Sequence, residues 1–265
     1  MLEKYIEIDD KQQELLEQVF PRLISLREKT ELKKSVITII AFIGNTNFIK
    51  NGIFDLYESQ NIYSIKILFR SLIEHYLKFQ YLFLRFIEIK NDSVFSDYEK
   101  FSKYSEMIYY GDSIKNIYEI LNGDTSNLNS FETLKELYPE LNEISRKSFK
   151  NKVNEYKIFN IIKFINNKIN KENTYSGNKF LLDLLPIYSE LSSFVHGGFE
   201  ATQIMSKLSN EDDRIKDLDK SISFSLNITL SIASFSCLMF AKHDKTMVDF
   251  HNKFYSLLKR YANDK

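Results

Sequence analysis

The chain has 265 residues, a formal net charge of zero from 36 basic and 36 acidic side chains, and 43% apolar content. That balance leaves no overall field to draw it onto nucleic acid or an anionic membrane, so any such contact must come from a local patch. One cysteine, Cys237, excludes an internal disulfide and a metal site built on several cysteines, and fits a reducing, cytoplasmic setting.

Only 7 Gly and 3 Pro occur. All-β domains need many tight turns, and tight turns need Gly and Pro. The fold class expected is therefore all-α: a multi-helix bundle, one helical domain over residues 1–265, with 95–177 as a polar helical insertion within it.

In chain order, the first residues are acidic and mixed, without the basic flank and apolar run of a signal peptide. Residues 10–30 carry Leu15, Leu16, Val19, Phe20, Leu23 and Ile24 at spacings of three and four, a helix pattern that Pro21 should kink or break. A second helix is expected over 31–49, with Gly52 and the Glu58-to-Asn61 stretch near its end. Residues 62–90 make the longest strong pattern, apolar almost all round, as suits the centre of a bundle. Lys66, Arg70, Glu74 and Lys78 recur every fourth residue along one side of it.

Helices are then expected near 96–121 and 129–137 and, after Pro139, over 140–170. Breakers fall at 122–126 and 171–177. A helix over 178–196 includes Pro186 and stops at Gly197-Gly198. Helices over 211–242 and 246–262 close the chain. Residues 221–232 alternate strictly between polar and apolar, a strand pattern, but an isolated strand has no partner for its backbone, so helix is the expectation. Ser221 to Ala241 holds 21 residues without a charge, long enough to span a bilayer. Eight of them are Ser, Thr or Asn, which favours a buried helix and no membrane.

Two short stretches carry the chemistry: Arg70-Ser-Leu-Ile-Glu74-His75 and Ser192-Ser-Phe-Val-His196-Gly-Gly198. Each puts polar groups one helical turn apart inside a segment built for burial, where an unpaired charge is costly. Arg70 and Glu74 share a face, as do Ser192 and His196. His196 falls in the last turn of its helix, where the carbonyl end favours a cation. A His–Glu–Arg cluster of this kind can bind a phosphate and move a proton, which is what RNA cleavage needs: a base, an acid and a cation on the phosphate. The same spacings also suit a solvated stripe of ordinary ion pairs and a histidine that only caps its helix. Ser192 reads as a hydrogen-bonding partner, since no nucleophile elbow surrounds it.

Arg70 and His75 also form Arg-x4-His, which resembles the motif of the HEPN superfamily, helical-bundle proteins common in bacterial defence and toxin systems. That resemblance implies a HEPN-like, metal-independent ribonuclease or toxin-type effector acting in anti-phage defence. Its site would form across a homodimer, with Arg70 holding the phosphate and His75 as acid or base. HEPN proteins usually place Asn, Asp or His after the Arg; here it is Ser71. The two stretches together, Arg-Ser-x2-Glu and Ser-x3-His-Gly, resemble a family of uncharacterised bacterial helical proteins. Arg70, Glu74, Ser192, His196 and Gly197 would be its signature positions, over roughly residues 30–245.

The catalytic set expected is thus Arg70 on phosphate, His196 or His75 moving protons, Glu74 orienting the histidine and Ser192 completing the network, with no cofactor or metal. Residues 143–171 add Arg146 and seven lysines against two glutamates, a local balance of +6, interleaved with aromatics. Arg146, Lys147, Lys150, Lys152 and Lys157 could grip an RNA backbone or form a solvated face. The other function class is a non-catalytic helical module that binds or senses an anionic ligand or a protein partner, such as one from the same operon.

Overall fold

The computed structural model describes residues 2–122, 129–172 and 178–263. Among them are eleven α-helices, one short 3-10 turn and no strand. The helices are α1 (Leu2–Lys29), α2 (Lys33–Glu58), α3 (Ile62–Ile89), α4 (Ser93–Asn122), α5 (Ser130–Leu137), α6 (Arg146–Glu155), α7 (Ile158–Glu172), α8 (Asn178–His196), α9 (Phe199–Lys207), α10 (Glu211–Phe240) and α11 (Thr246–Asn263). The chain is an all-α, multi-helix bundle.

Helix α3 lies at its centre, packed against α2, α4, α7, α8 and α10. Residues Ile65, Phe69, Leu72, Ile73, Phe79, Leu82 and Phe83 along it are essentially inaccessible to solvent. Each such side chain contributes roughly 1.5–3 kcal/mol through removal from water. Helix α10 lies beside it and also contacts α1, α2 and α11. Its strict alternation is not a strand signal. The serines and threonine turn inward, and their hydroxyls donate to the carbonyls one turn back: Ser225 to Ser221, Thr229 to Ser225, Ser236 to Ile232. A hydroxyl satisfied within its own helix can be buried on any side, so the polar–apolar period carries no strand information here.

The boundaries differ from expectation in several places. Helix α1 starts at Leu2 and runs through Pro21 unbroken. Pro21 faces solvent, where the carbonyl left without its donor can meet water. Helix α2 continues through Gly52 to Glu58 rather than ending near 49. A Cβ at Gly52 would lie 3.1 Å from Leu68 Cδ1, so this glycine permits close approach of α2 and α3 and does not stop a helix. The segment 140–170 is two helices, α6 and α7, parted at Tyr156–Lys157. Helix α9 follows Gly198 directly and was not expected. The breakers at 122–126 and 171–177 lie largely outside the described residues.

Two apolar clusters hold the chain. The main one spans α1–α3, the start of α4, α7–α9, α10 and α11. A smaller one contains six buried residues: Phe101 and Tyr104 of α4, Phe131 and Leu134 of α5, Leu141, and Phe149 of α6. Half-buried Tyr156 packs against both. The polar segment 95–177 is therefore divided: Phe95 at the start of α4 and Ile161 and Ile165 of α7 join the main cluster, while the rest of α4 with α5 and α6 builds the small one.

Helices α2 and α10 are long and apolar enough to cross a membrane by length and composition. In α10, 78% of the relevant window is buried within the bundle, against 39% in α2. The stretch from Ser221 onward is thus a core helix.

Candidate functional site

The central polar feature is the crossing of α3 and α8. The two helices run antiparallel, since Tyr63 meets Phe194 (ring centroids 5.2 Å apart) and Tyr76 meets Phe180 (5.8 Å). Between those contacts, Arg70 reaches from α3 to α8. Its Nε donates to Ser192 Oγ at 3.4 Å, its Nη2 to the Tyr188 hydroxyl at 3.1 Å, and its Nη1 to Glu74 Oε2 at 3.1 Å. The guanidinium carbon also lies 4.9 Å from the Tyr188 ring centroid, a cation–π contact. The Ser192 hydroxyl donates to the Tyr188 carbonyl at 3.1 Å.

The fork geometry of arginine allows this, because three nitrogens in one plane can serve three acceptors. Tyr188 was not read from the sequence as a site residue. The signal was present: it lies four residues before Ser192, on the same face of α8.

Glu74 accepts from Arg70 on one oxygen and pairs with Lys78 Nζ at 2.9 Å on the other. Burial works against its ionised form, but Lys78, Arg70 and His75 outweigh that and hold its pKa below the ordinary value. Tyr188 is shifted the other way. Burial, then the Glu74 carboxylate, raises its phenol pKa, with Arg70 offsetting part of the effect.

The two histidines are placed differently. His196 is the last residue of α8. Gly197, at φ +64°, takes the left-handed position after it, and Gly198 N–H donates to the Ser193 carbonyl at 2.8 Å. This is the turn a helix makes when glycine follows its end. His196 is exposed, one turn beyond Ser192 on the same face, and makes no hydrogen bond or ion pair among the described residues. Within one chain Glu74 is engaged by Arg70 and Lys78, and no hydrogen bond joins it to His196.

His75 points elsewhere. A five-residue step turns a helix by about 140°, so Arg70 faces α8 while His75 faces α2. Its Nδ1 lies 2.9 Å from the Ser71 carbonyl, and its ring stands edge-on to Phe42 at 6.3 Å. Within one chain Arg70 and His75 do not converge.

The stripe Lys66–Arg70–Glu74–Lys78 is not a solvated face. Lys66 is buried and pairs with Asp217 of α10 at 2.5 Å. The stripe lies along the seam where α3 meets α8 and α10: Lys66 is matched across it by Asp217, while Arg70 and Lys78 share Glu74 within α3. Of the basic residues on α6 and just beyond it, Arg146, Lys147, Lys150 and Lys157 are exposed. Lys152 pairs with Asp97 at 3.2 Å. Among the described residues no group of His, Cys, Asp and Glu is arranged to hold a metal ion.

The fold and this crossing define a class: an all-helical bundle with an Arg–Glu–Tyr–Ser network joining its central helix to a histidine-capped neighbour. The chain belongs to the family of unknown function DUF5677, whose sequence profile matches residues 37–215. That span contains Arg70, Glu74, Ser192, His196 and Gly197, and ends early in α10. Comparison with curated proteins and with solved structures finds no match.

Proposed function

We propose that the chain is a HEPN-like, metal-independent endoribonuclease that acts as a homodimer in bacterial anti-phage defence, in the cytoplasm. The observation that carries this reading is the position of His196: exposed, unpartnered, and one turn along α8 from the Ser192 that holds Arg70. A phosphate drawn to that edge meets a guanidinium fixed from three sides and an imidazole able to move a proton. In the reaction a base takes the 2′-hydroxyl proton and the 2′-oxygen attacks phosphorus. The bond to the 5′-oxygen breaks, and an acid protonates the leaving oxygen, giving a 2′,3′-cyclic phosphate and a 5′-hydroxyl. Arg70 stabilises charge on the phosphate oxygens. Val195 and Phe199, both apolar and exposed, flank His196 and suit an edge covered by a second copy, whose own His75 or His196 would supply the other proton-transfer group.

A second reading has its own observation. All three donor nitrogens of Arg70 already face acceptors within the chain, as suits a module that binds an anionic ligand or an operon partner protein without turnover.

Cleavage of a labelled RNA in excess EDTA decides between them. The expected result is cyclic-phosphate and 5′-hydroxyl ends, with His196→Ala about 100-fold slower or worse at unchanged melting temperature. Wild-type protein that leaves RNA intact, or His196→Ala and His75→Ala proteins that both cut like wild type, would overturn the nuclease reading.

A further inference from the structure

A second constellation lies where the two apolar clusters meet. Helices α3, α6 and α7 line an open, solvent-facing cleft of about 540 Å³, within the roughly 300–1,000 Å³ common for small-molecule sites. Its floor is Tyr81 of α3 and Phe164 of α7, set edge to face at 4.9 Å. Its walls carry Asn151, Asn154 and Glu155 of α6, Asn160 of α7 and Arg85 of α3.

Most of these groups have hydrogen-bonding capacity to spare. Asn160 donates one bond, from Nδ2 to the Asn154 carbonyl. Among the described residues, the amides of Asn151 and Asn154, the Glu155 carboxylate and the Tyr81 hydroxyl make no hydrogen bond. Burial pushes the Tyr81 phenol up to about 12, so it stays a neutral donor near pH 7. Arg85 approaches Glu88 only at 4.0 Å and lies 5.9 Å from the Phe164 ring centroid. Tyr81 is buried, Asn154, Glu155 and Asn160 are half-buried and Asn151 is exposed; polar groups facing one space and left open by the protein are what a ligand site requires.

The chemistry narrows the ligand. The Phe164 ring offers a flat surface on which a planar ring can stack. The asparagine amides each offer a donor and an acceptor. Glu155 rejects a simple anion and accepts from N–H groups, while Arg85 attracts negative charge. A ligand suited to all four must be flat, carry N–H donors on one edge and bear an anionic group.

We propose that this cleft binds a nucleotide whose base presents N–H donors, guanine best of all, because it sets two N–H groups side by side for one carboxylate. The base lies against Phe164, its edge meets Glu155 with Asn151 and Asn154, and the phosphate turns to Arg85. This site is separate from the Arg70–His196 edge and does not depend on ribonuclease activity.

Calorimetric titration of the full chain with GMP, AMP, CMP, UMP, guanosine and inorganic phosphate tests it. The expected order is GMP first, then AMP and CMP, with UMP about tenfold or more weaker than GMP. Glu155→Gln reduces the preference for GMP over UMP. Arg85→Gln weakens GMP binding about tenfold and leaves guanosine unchanged. A guanine-containing trinucleotide that binds more tightly than GMP identifies the source of the base as an RNA strand; equal or weaker binding identifies a free nucleotide. His196→Ala should bind GMP like wild type, which keeps this outcome separate from the nuclease test. No heat with any nucleotide at millimolar concentration would overturn the proposal, as would wild-type GMP affinity in both Glu155→Gln and Asn154→Ala.

Discussion

The two apolar clusters are built from different material. In the main cluster, α3 and α10 are surrounded by other helices and bury long rows of aliphatic and aromatic side chains. In the small cluster, three helices and a 3-10 turn share six buried residues, four of them aromatic. Its longest helix, α4, leaves Tyr109, Tyr110, Ile117, Ile120 and Leu121 exposed. The lesson is one of local stability: a region with few buried contacts opens more readily than the frame that carries it. The proposed nucleotide cleft spans the junction, with α3 and α7 from the frame and α6 from the looser part.

Truncation of Phe79 tests the frame most severely. Its ring is fully buried and touches Phe42 and Phe83. Phe79→Ala should cost about 3–5 kcal/mol and lower the melting of the whole chain, as followed by far-UV circular dichroism. A loss under 1 kcal/mol would show that the main cluster is not the cooperative unit.

Next in size is a buried ion pair within the same frame. Lys50 has no solvent exposure, and its ammonium pairs with Asp9 and donates to Asn47 Oδ1 at 2.9 Å. Burial lowers its pKa from the usual lysine value, and Asp9 opposes that shift. Asp9→Asn should cost about 3 kcal/mol at pH 7, because it leaves a cation buried without its counter-charge. The pH dependence has a definite sign. The folded pKa is depressed, so between it and the ordinary lysine value the unfolded chain binds more protons, and stability rises with pH across that window. The variant's deficit should therefore shrink on the alkaline side in urea titrations run at several pH values; a deficit that grows there would contradict this account.

The smallest effect is expected in the looser region. Phe149 packs against Phe101, Tyr104 and Phe131. Phe149→Ala should cost about 2 kcal/mol and act locally. Amide exchange should speed up across α4–α6 and stay unchanged in α3 and α10. Equal acceleration in α10 would mean that the two clusters unfold as one.

The fold was legible to the extent that it depends on composition and period. Scarce Gly and Pro announced helices, and the 62–90 stretch, apolar nearly all round, became the central helix. Breaker residues were the weaker guide: Pro21 lies on the exposed side of an unbroken α1, and Gly52 lies inside α2. Gly52 serves helix packing there, whereas Gly197-Gly198 does end α8 as expected, and Gly198 then caps the start of the unforeseen α9. The candidate site was half legible. The i, i+4 spacing of Arg70 with Glu74 was visible, and Ser192 does meet Arg70. The i, i+4 spacing also put Tyr188 on the face of Ser192 and Lys78 beside Glu74, but spacing alone could not say that Tyr188 would close on Arg70 or Lys78 on Glu74. Nor could it show that His75 would turn toward Phe42. Those outcomes depend on how α8 crosses α3, which is a property of packing and not of spacing.

The start of α2 depends on a residue far along the chain. Leu32, at its N-cap, offers no side-chain cap. The Asp92 carboxylate accepts instead from the backbone N–H groups of Lys34 at 2.8 Å and Ser35 at 2.6 Å, and from the Ser35 hydroxyl at 2.5 Å. During synthesis these donors emerge nearly sixty residues before their acceptor, so until the bend after α3 is made the first turn of α2 has only water to meet its N–H groups. A chain cut short before that bend would carry α2 without its cap, so the α2–α3 hairpin is complete only once the residue that follows it is in place.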